Sequence, residues 1–167
     1  MNEYLHPLSD APHILHLTAG QDRFGEHRGL EMSDIDIKVS PQDGNDVLML
    51  DNTFRAKGGP PKHLHYDQEE WFYCVEGEFI IEIGETRMRL MPGDAILAPR
   101  KVPHVWAHVG ESRGKILITF MPAGKTEQFF RNGMKVHAQP PKDRALWHAH
   151  GMELLGPPLQ IESLAAP

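Results

Sequence analysis

The stretch Gly58-Gly59-Pro60-Pro61-Lys62-His63-Leu64-His65-Tyr66-Asp67-Gln68-Glu69-Glu70-Trp71-Phe72-Tyr73-Cys74-Val75-Glu76-Gly77 decides how this chain is read. Its turn-like Gly-Gly-Pro-Pro opening leads into His63-Leu64-His65. On an extended strand, residues two apart point to the same face, so both imidazoles are placed to grip one metal ion. Glu70 follows five residues after His65, and the alternation from Glu70 onward, broken at Gly77, puts Glu70, Phe72 and Cys74 on one face. Glu69 is then expected to point outward as a charged rim residue, and only a bulge that shifts the register would exchange the two. Cys74 reads as a small buried hydrophobe rather than a redox group.

Strand-like segments continue on both sides. Val47 to Leu50 (VLML) opens a series in which Glu78 to Ile83 places Phe79, Ile81 and Ile83 on one face, with Gly84-Glu85 as a tight turn into Arg87 to Leu90. A second turn at Met91-Pro92-Gly93-Asp94 leads to Ala95 to Ala98, then to His104 to Val109 and Lys115 to Phe120. Six or more short strands punctuated by Gly and Pro predict a small barrel or a double sheet. His13 to Leu17 and Ile35 to Val39 are candidate peripheral strands. Thr126 to Asn132 and Asp143 to His150 read as helices, the second stopping at Gly151. The chain is therefore expected to be one domain over residues 1–167. Its barrel core lies at about 35–122, with an N-terminal extension over 1–34 and a helical C-terminal extension over 123–167.

The 167 residues include a single Cys, so no disulfide can form within the chain. The net charge of −6 offers no basic face for a phosphate backbone, which argues against nucleic acid as a partner. No run of 18 apolar residues is present, and Met1 to Asp10 lacks the layout of a signal peptide. The expectation is a cytoplasmic protein that does not engage membranes. Edge strands that must be covered, together with long terminal extensions, further predict a homodimer.

Eleven His make the His-x-His pair weak evidence alone, since about 0.7 such pairs are expected by chance. The chain carries its own control in His148-Ala149-His150. That pair lies in a helical run, where residues two apart point about 200° apart and cannot share an ion. Requiring Glu at position 70 and Gly at position 77 as well lowers the expectation to roughly 0.005.

With these residues in place the chain resembles the cupin superfamily, whose first motif is matched by Gly58, His63, His65, Glu70 and Gly77 with a one-residue contraction after Gly58. The second motif is matched by Gly93, Pro99 and His104, while Lys101 stands where the family has a second Gly and His108 where it has Asn. The resemblance implies an all-β double-stranded β-helix of the jelly-roll type. It also implies a metal site made by His63, His65, Glu70 and His104. Such a ligand set suits one divalent ion, and the set alone does not choose among Fe, Mn, Ni, Co and Zn.

Four protein ligands leave two neighbouring positions of an octahedral ion for exchangeable ligands, whereas a structural zinc site is closed and often uses Cys. The resemblance to single-domain, quercetinase-like cupins implies a dioxygenase acting on an aromatic or enol-type small molecule, with Glu70 as ligand and catalytic proton acceptor. The same barrel also hosts redox-neutral isomerases, lyases and decarboxylases, as well as non-enzymatic binding or sensing modules. Met49, Phe72, Met88 and Trp106 are candidate pocket residues. Phe129 and Phe130 are expected to cover the barrel, and His108 is either a pocket hydrogen-bonder or a core histidine.

Overall fold

The computed structural model describes residues 14–134 and 141–161. Eleven strands and two α-helices follow in the order β1 (Gly29–Leu30), β2 (Ser33–Val39), β3 (Leu48–Phe54), β4 (His63–His65), β5 (Glu69–Glu76), β6 (Phe79–Ile83), β7 (Thr86–Leu90), β8 (Ala95–Ala98), β9 (His104–His108), β10 (Gly114–Met121), α1 (Thr126–Gly133), α2 (Arg144–Ala149) and β11 (Met152–Leu154). Two antiparallel sheets result, one ordered β1-β2-β3-β10-β5-β8 and the other β11-β4-β9-β6-β7. This is the jelly-roll barrel expected from the motifs.

Period-two patterning explains why the sheets face each other. Along β5, Glu70, Phe72 and Cys74 are buried while Trp71, Tyr73 and Val75 are exposed. Along β10, Ile116, Ile118 and Phe120 turn inward opposite Leu50 and Leu48 of β3, and Phe79, Ile81 and Trp106 answer them from the other sheet. Each such side chain contributes about 1.5–3 kcal/mol by leaving water. The segment opened by VLML extends to Phe54, and its register turns Leu48 and Leu50 inward, so Met49 lies on the outer face.

The ends of the chain differ from expectation. Residues 14–17 form no strand, and His6, His13 and His137 lie outside the described residues. Pairing begins at Gly29, within the segment read as an N-terminal extension. The C-terminal extension is not purely helical, because Met152, Glu153 and Leu154 pair with His65, Leu64 and His63 and cover the free edge of β4. Asp143 caps α2 by accepting from the amides of Ala145 and Leu146. A buried ion pair between Arg28 and Asp22 fastens the loop before β1, with Asp22 also accepting from the amides of Phe24, Glu26 and Ile37. No helix among the described residues is long and apolar enough to cross a membrane.

Candidate metal centre

Three of the four polar residues singled out by the motifs come from one sheet and the fourth from the other. His63 and His65 project inward from β4, with Leu64 turned away between them, and His104 of β9 lies directly opposite His63 in the ladder. Glu70 reaches across from β5, where it pairs with Phe120 and Ala98. All four are buried, and their ligand atoms lie within 4.8 Å of one another. Glu70 Oε2 is 2.8 Å from His104 Nε2, 3.1 Å from His65 Nε2 and 3.8 Å from His63 Nε2. Bonds of about 2.0–2.2 Å put neighbouring donors of one ion about 3 Å apart, so a single cation fits with small adjustments.

The far side of each imidazole fixes which nitrogen faces the centre. His63 Nδ1 donates to the Pro61 carbonyl at 2.7 Å, and His104 Nδ1 donates to the Val102 carbonyl at 3.1 Å. His65 Nδ1 donates to Gln68 Oε1 at 2.8 Å. The Gln68 amide is itself oriented, because its nitrogen donates to the carbonyls of Pro122 and Ala123 at 2.8 and 2.5 Å. The Thr126 hydroxyl, at the start of α1, donates to the same Oε1 at 2.7 Å. With every Nδ1 turned toward an acceptor, all three Nε2 atoms face Glu70 and are the atoms available to a metal ion. Sequence reasoning missed Gln68; its only local signal was a polar residue three positions after a candidate ligand.

Burial and mutual charge set the protonation of the metal-free centre. Burial and the neighbouring His104 charge push His63 down to about 4. For His104, burial favours the neutral ring, but the Glu70 carboxylate outweighs it and raises the pKa. Burial likewise opposes ionisation of Glu70, yet His104 and the other imidazoles hold it well below the usual carboxylate range. Glu70 is thus held as a carboxylate among three imidazoles, and a divalent cation would compete with protons for the same inward-facing atoms. His65 Nε2 is buried and meets only the Glu70 carboxylate, at 3.1 Å, in a geometry that does not complete a hydrogen bond.

The centre opens onto a cavity of about 40 Å³ between the sheets, walled by apolar side chains including Ile35, Leu50, Ile118, Phe130 and Met134. Trp106 and Phe129 line it, whereas Phe72 and Met88 belong to the packed core and Met49 is outside. The Trp147 ring sits 5.2 Å from that of His63, so the C-terminal helices form one wall. Glu69 faces outward and pairs with Arg100, leaving Glu70 as the inward carboxylate. His108 is a core histidine. It packs against Phe54 and Phe79, donates from Nδ1 to the Ala56 carbonyl at 3.3 Å, and lies outside the cavity lining. Cys74 is fully buried.

The cupin domain family matches residues 53–120, the segment that carries both motifs and all four ligand positions. Over residues 53–120 the chain is similar to cupin domains. Lys101, where cupins have the second glycine, keeps the left-handed backbone a glycine would adopt, with φ 65°, and its amide donates to the His65 carbonyl at 2.6 Å. Gly77 is required as such: at φ 82° a Cβ would lie 2.8 Å from the Gly114 Cα.

Among relatives, an uncharacterised protein of Methanocaldococcus jannaschii is 33% identical over 60 residues, covering 36% of this chain and 48% of its own length. An oxidoreductase of Arthrobotrys oligospora is 28% identical over 112 residues, covering 60% of this chain and 43% of its own. The chain thus spans just under half the length of the curated relatives it matches. Among solved structures, KdgF from a Halomonas species aligns with a TM-score of 0.50 at 24% identity, over 57% of this chain and 84% of that one. At that identity the likeness supports the cupin fold alone.

Proposed function

We propose that the protein is a metal-dependent small-molecule enzyme of the dioxygenase type, an oxidoreductase of the quercetinase-like group acting on an enol-type or aromatic substrate. One observation carries this reading: three imidazoles, each held by its Nδ1 with Nε2 turned inward, converge with one carboxylate at the wall of an apolar cavity. The oxidoreductase of Arthrobotrys oligospora supports the reaction class. A bound divalent ion would supply two exchangeable positions, polarisation of a substrate oxygen and, if redox-active, an electron path to dioxygen.

The chain's own residues do the rest. His63, His65 and His104 hold the site, Glu70 takes the proton of an incoming hydroxyl that comes within about 3 Å, and the apolar walls exclude water from the reacting end. Size limits the substrate. The cavity of about 40 Å³ is roughly a quarter of one that holds benzene, so a whole aromatic ring enters only if a wall gives way. A small enol asks for less movement of the wall than an aromatic ring does. A cytoplasmic homodimer belongs to the same proposal, supported by the exposed row Trp71, Tyr73 and Val75 on the outer face of β5.

The test is oxygen consumption by protein loaded in turn with Fe(II), Mn(II), Ni(II) and Co(II), using a panel of α-hydroxyketones, catechols and flavonols. Substrate-dependent uptake with at least one metal is expected. Stoichiometric metal with no uptake, accompanied by isomerised or decarboxylated product, would overturn the dioxygenase reading in favour of redox-neutral chemistry.

A further inference from the structure

Among the described residues, six buried side-chain polar atoms make no hydrogen bond: Ser33 Oγ, Asp51 Oδ1, Asn52 Oδ1, His65 Nε2, Trp106 Nε1 and His108 Nε2. Leaving such a group without a partner is costly, so each asks for an explanation. Three of them, on Asn52, His65 and Trp106, belong to residues that line the same cavity. His65 is accounted for as a metal ligand. Asn52 and Trp106 are not, and they stand on facing sheets, Asn52 on β3 and Trp106 on β9. Asn52 is 3% exposed and occupies an inward position between Leu50 and Phe54 in an otherwise apolar row, where a leucine would pack without penalty.

We propose that Asn52 and Trp106 form the polar subsite of the cavity, binding a hydroxyl group of a small, otherwise apolar substrate: the hydroxyl donates to the Asn52 amide oxygen and accepts from the Trp106 indole N–H. This rests on the cavity being the substrate site of the metal enzyme proposed above. It narrows the substrate class to compact hydroxy-carbonyl or enol molecules, which offer one oxygen to the centre and a second to the subsite. A site built to pair a hydroxyl discriminates strongly against an analogue that cannot donate, because its own polar groups are then left unpaired.

Calorimetric titration of the Zn(II)-loaded protein with hydroxyacetone, and with methoxyacetone as the analogue without a donor, tests the assignment. Wild type should bind hydroxyacetone at least tenfold more tightly than methoxyacetone. Asn52→Leu, matched in volume, should abolish that preference while keeping its zinc content, and should melt at a higher temperature because an unpaired buried amide is gone. Trp106→Phe should weaken hydroxyacetone in the same direction and serves as a second variant should Asn52→Leu fold poorly. Equal binding of the two probes by wild type, binding of neither, or an Asn52→Leu protein that melts lower with its preference intact would overturn the proposal. Hydroxyacetone binding that depends on Asn52, in a protein that consumes no oxygen, would instead overturn the dioxygenase reading and leave the subsite standing.

Discussion

Replacing Gln68 with Ala removes the group that orients His65, and the structure sets the size of the effect. Gln68 is buried and makes four hydrogen bonds: from the His65 Nδ1–H and the Thr126 hydroxyl to its oxygen, and from its nitrogen to the carbonyls of Pro122 and Ala123. In Gln68→Ala the imidazole of His65 loses its only Nδ1 partner, is free to rotate and to exchange tautomers, and no longer holds its Nε2 lone pair on the centre. Loss of a partner of this kind costs about 10–100-fold in metal affinity. The Pro122 carbonyl and the Thr126 hydroxyl lose their Gln68 partner as well, while the Ala123 carbonyl keeps the Thr126 amide, which adds about 1–3 kcal/mol of lost stability. A competition titration against a chromophoric zinc chelator measures the first effect and thermal melting in EDTA the second. Gln68→Glu sharpens the test, because a carboxylate still accepts from His65 and Thr126 but meets the Pro122 and Ala123 carbonyls with lone pairs. It should therefore recover metal affinity better than it recovers stability. A folded Gln68→Ala protein that binds zinc within twofold of wild type would refute the reasoning.

Lys101 holds a left-handed conformation at φ 65°, so Lys101→Gly should stabilise the protein by about 1 kcal/mol with metal content unchanged, read by thermal melting; a lower melting temperature would contradict it. For Asp22, burial raises the pKa, but Arg28 and three backbone amides outweigh it and hold the value below 3.8. Its contribution is therefore complete above about 3.8 and is lost as pH falls through the folded value. Asp22→Asn should cost about 3 kcal/mol at neutral pH and lose less further stability on acidification than wild type, by urea melts at pH 7 and below pH 4. Light scattering of the proposed homodimer should give about twice the 18.9 kDa of one chain, and a mass of 18.9 kDa would remove that proposal.

The strands and the inward facing of each polar residue were legible because both rest on local periodicity. His63 and His65 share a strand face, Glu70 begins the next alternating run, and His104 opens a third; their meeting at one centre was implied by the resemblance of the two motifs to cupins, and the pairing of β4 with β9 produces it. Gln68 was not legible, since its role depends on partners at 122, 123 and 126 that only the folded chain brings near. Neither was β11: three residues show no usable period, and its strand character is supplied by the open edge of β4. Met49 was misplaced because an apolar run without polar alternation does not state its register. The pairing of β3 with β10 decides it, turning Leu48 and Leu50 in and Met49 out. Asn52 lies in Asp51-Asn52, which discourages a strand assignment, yet β3 continues through both, with Asp51 turned out to Lys115.

The central claim is that His63, His65, Glu70 and His104 hold one divalent ion. Elemental analysis of protein purified without chelator or affinity metal, comparing wild type with a folded His104→Ala variant, tests it most directly. The account predicts close to one transition-metal ion per chain in wild type and a small fraction of that in the variant. Full occupancy in the variant, or a folded wild type that neither carries nor takes up a metal ion, would contradict it.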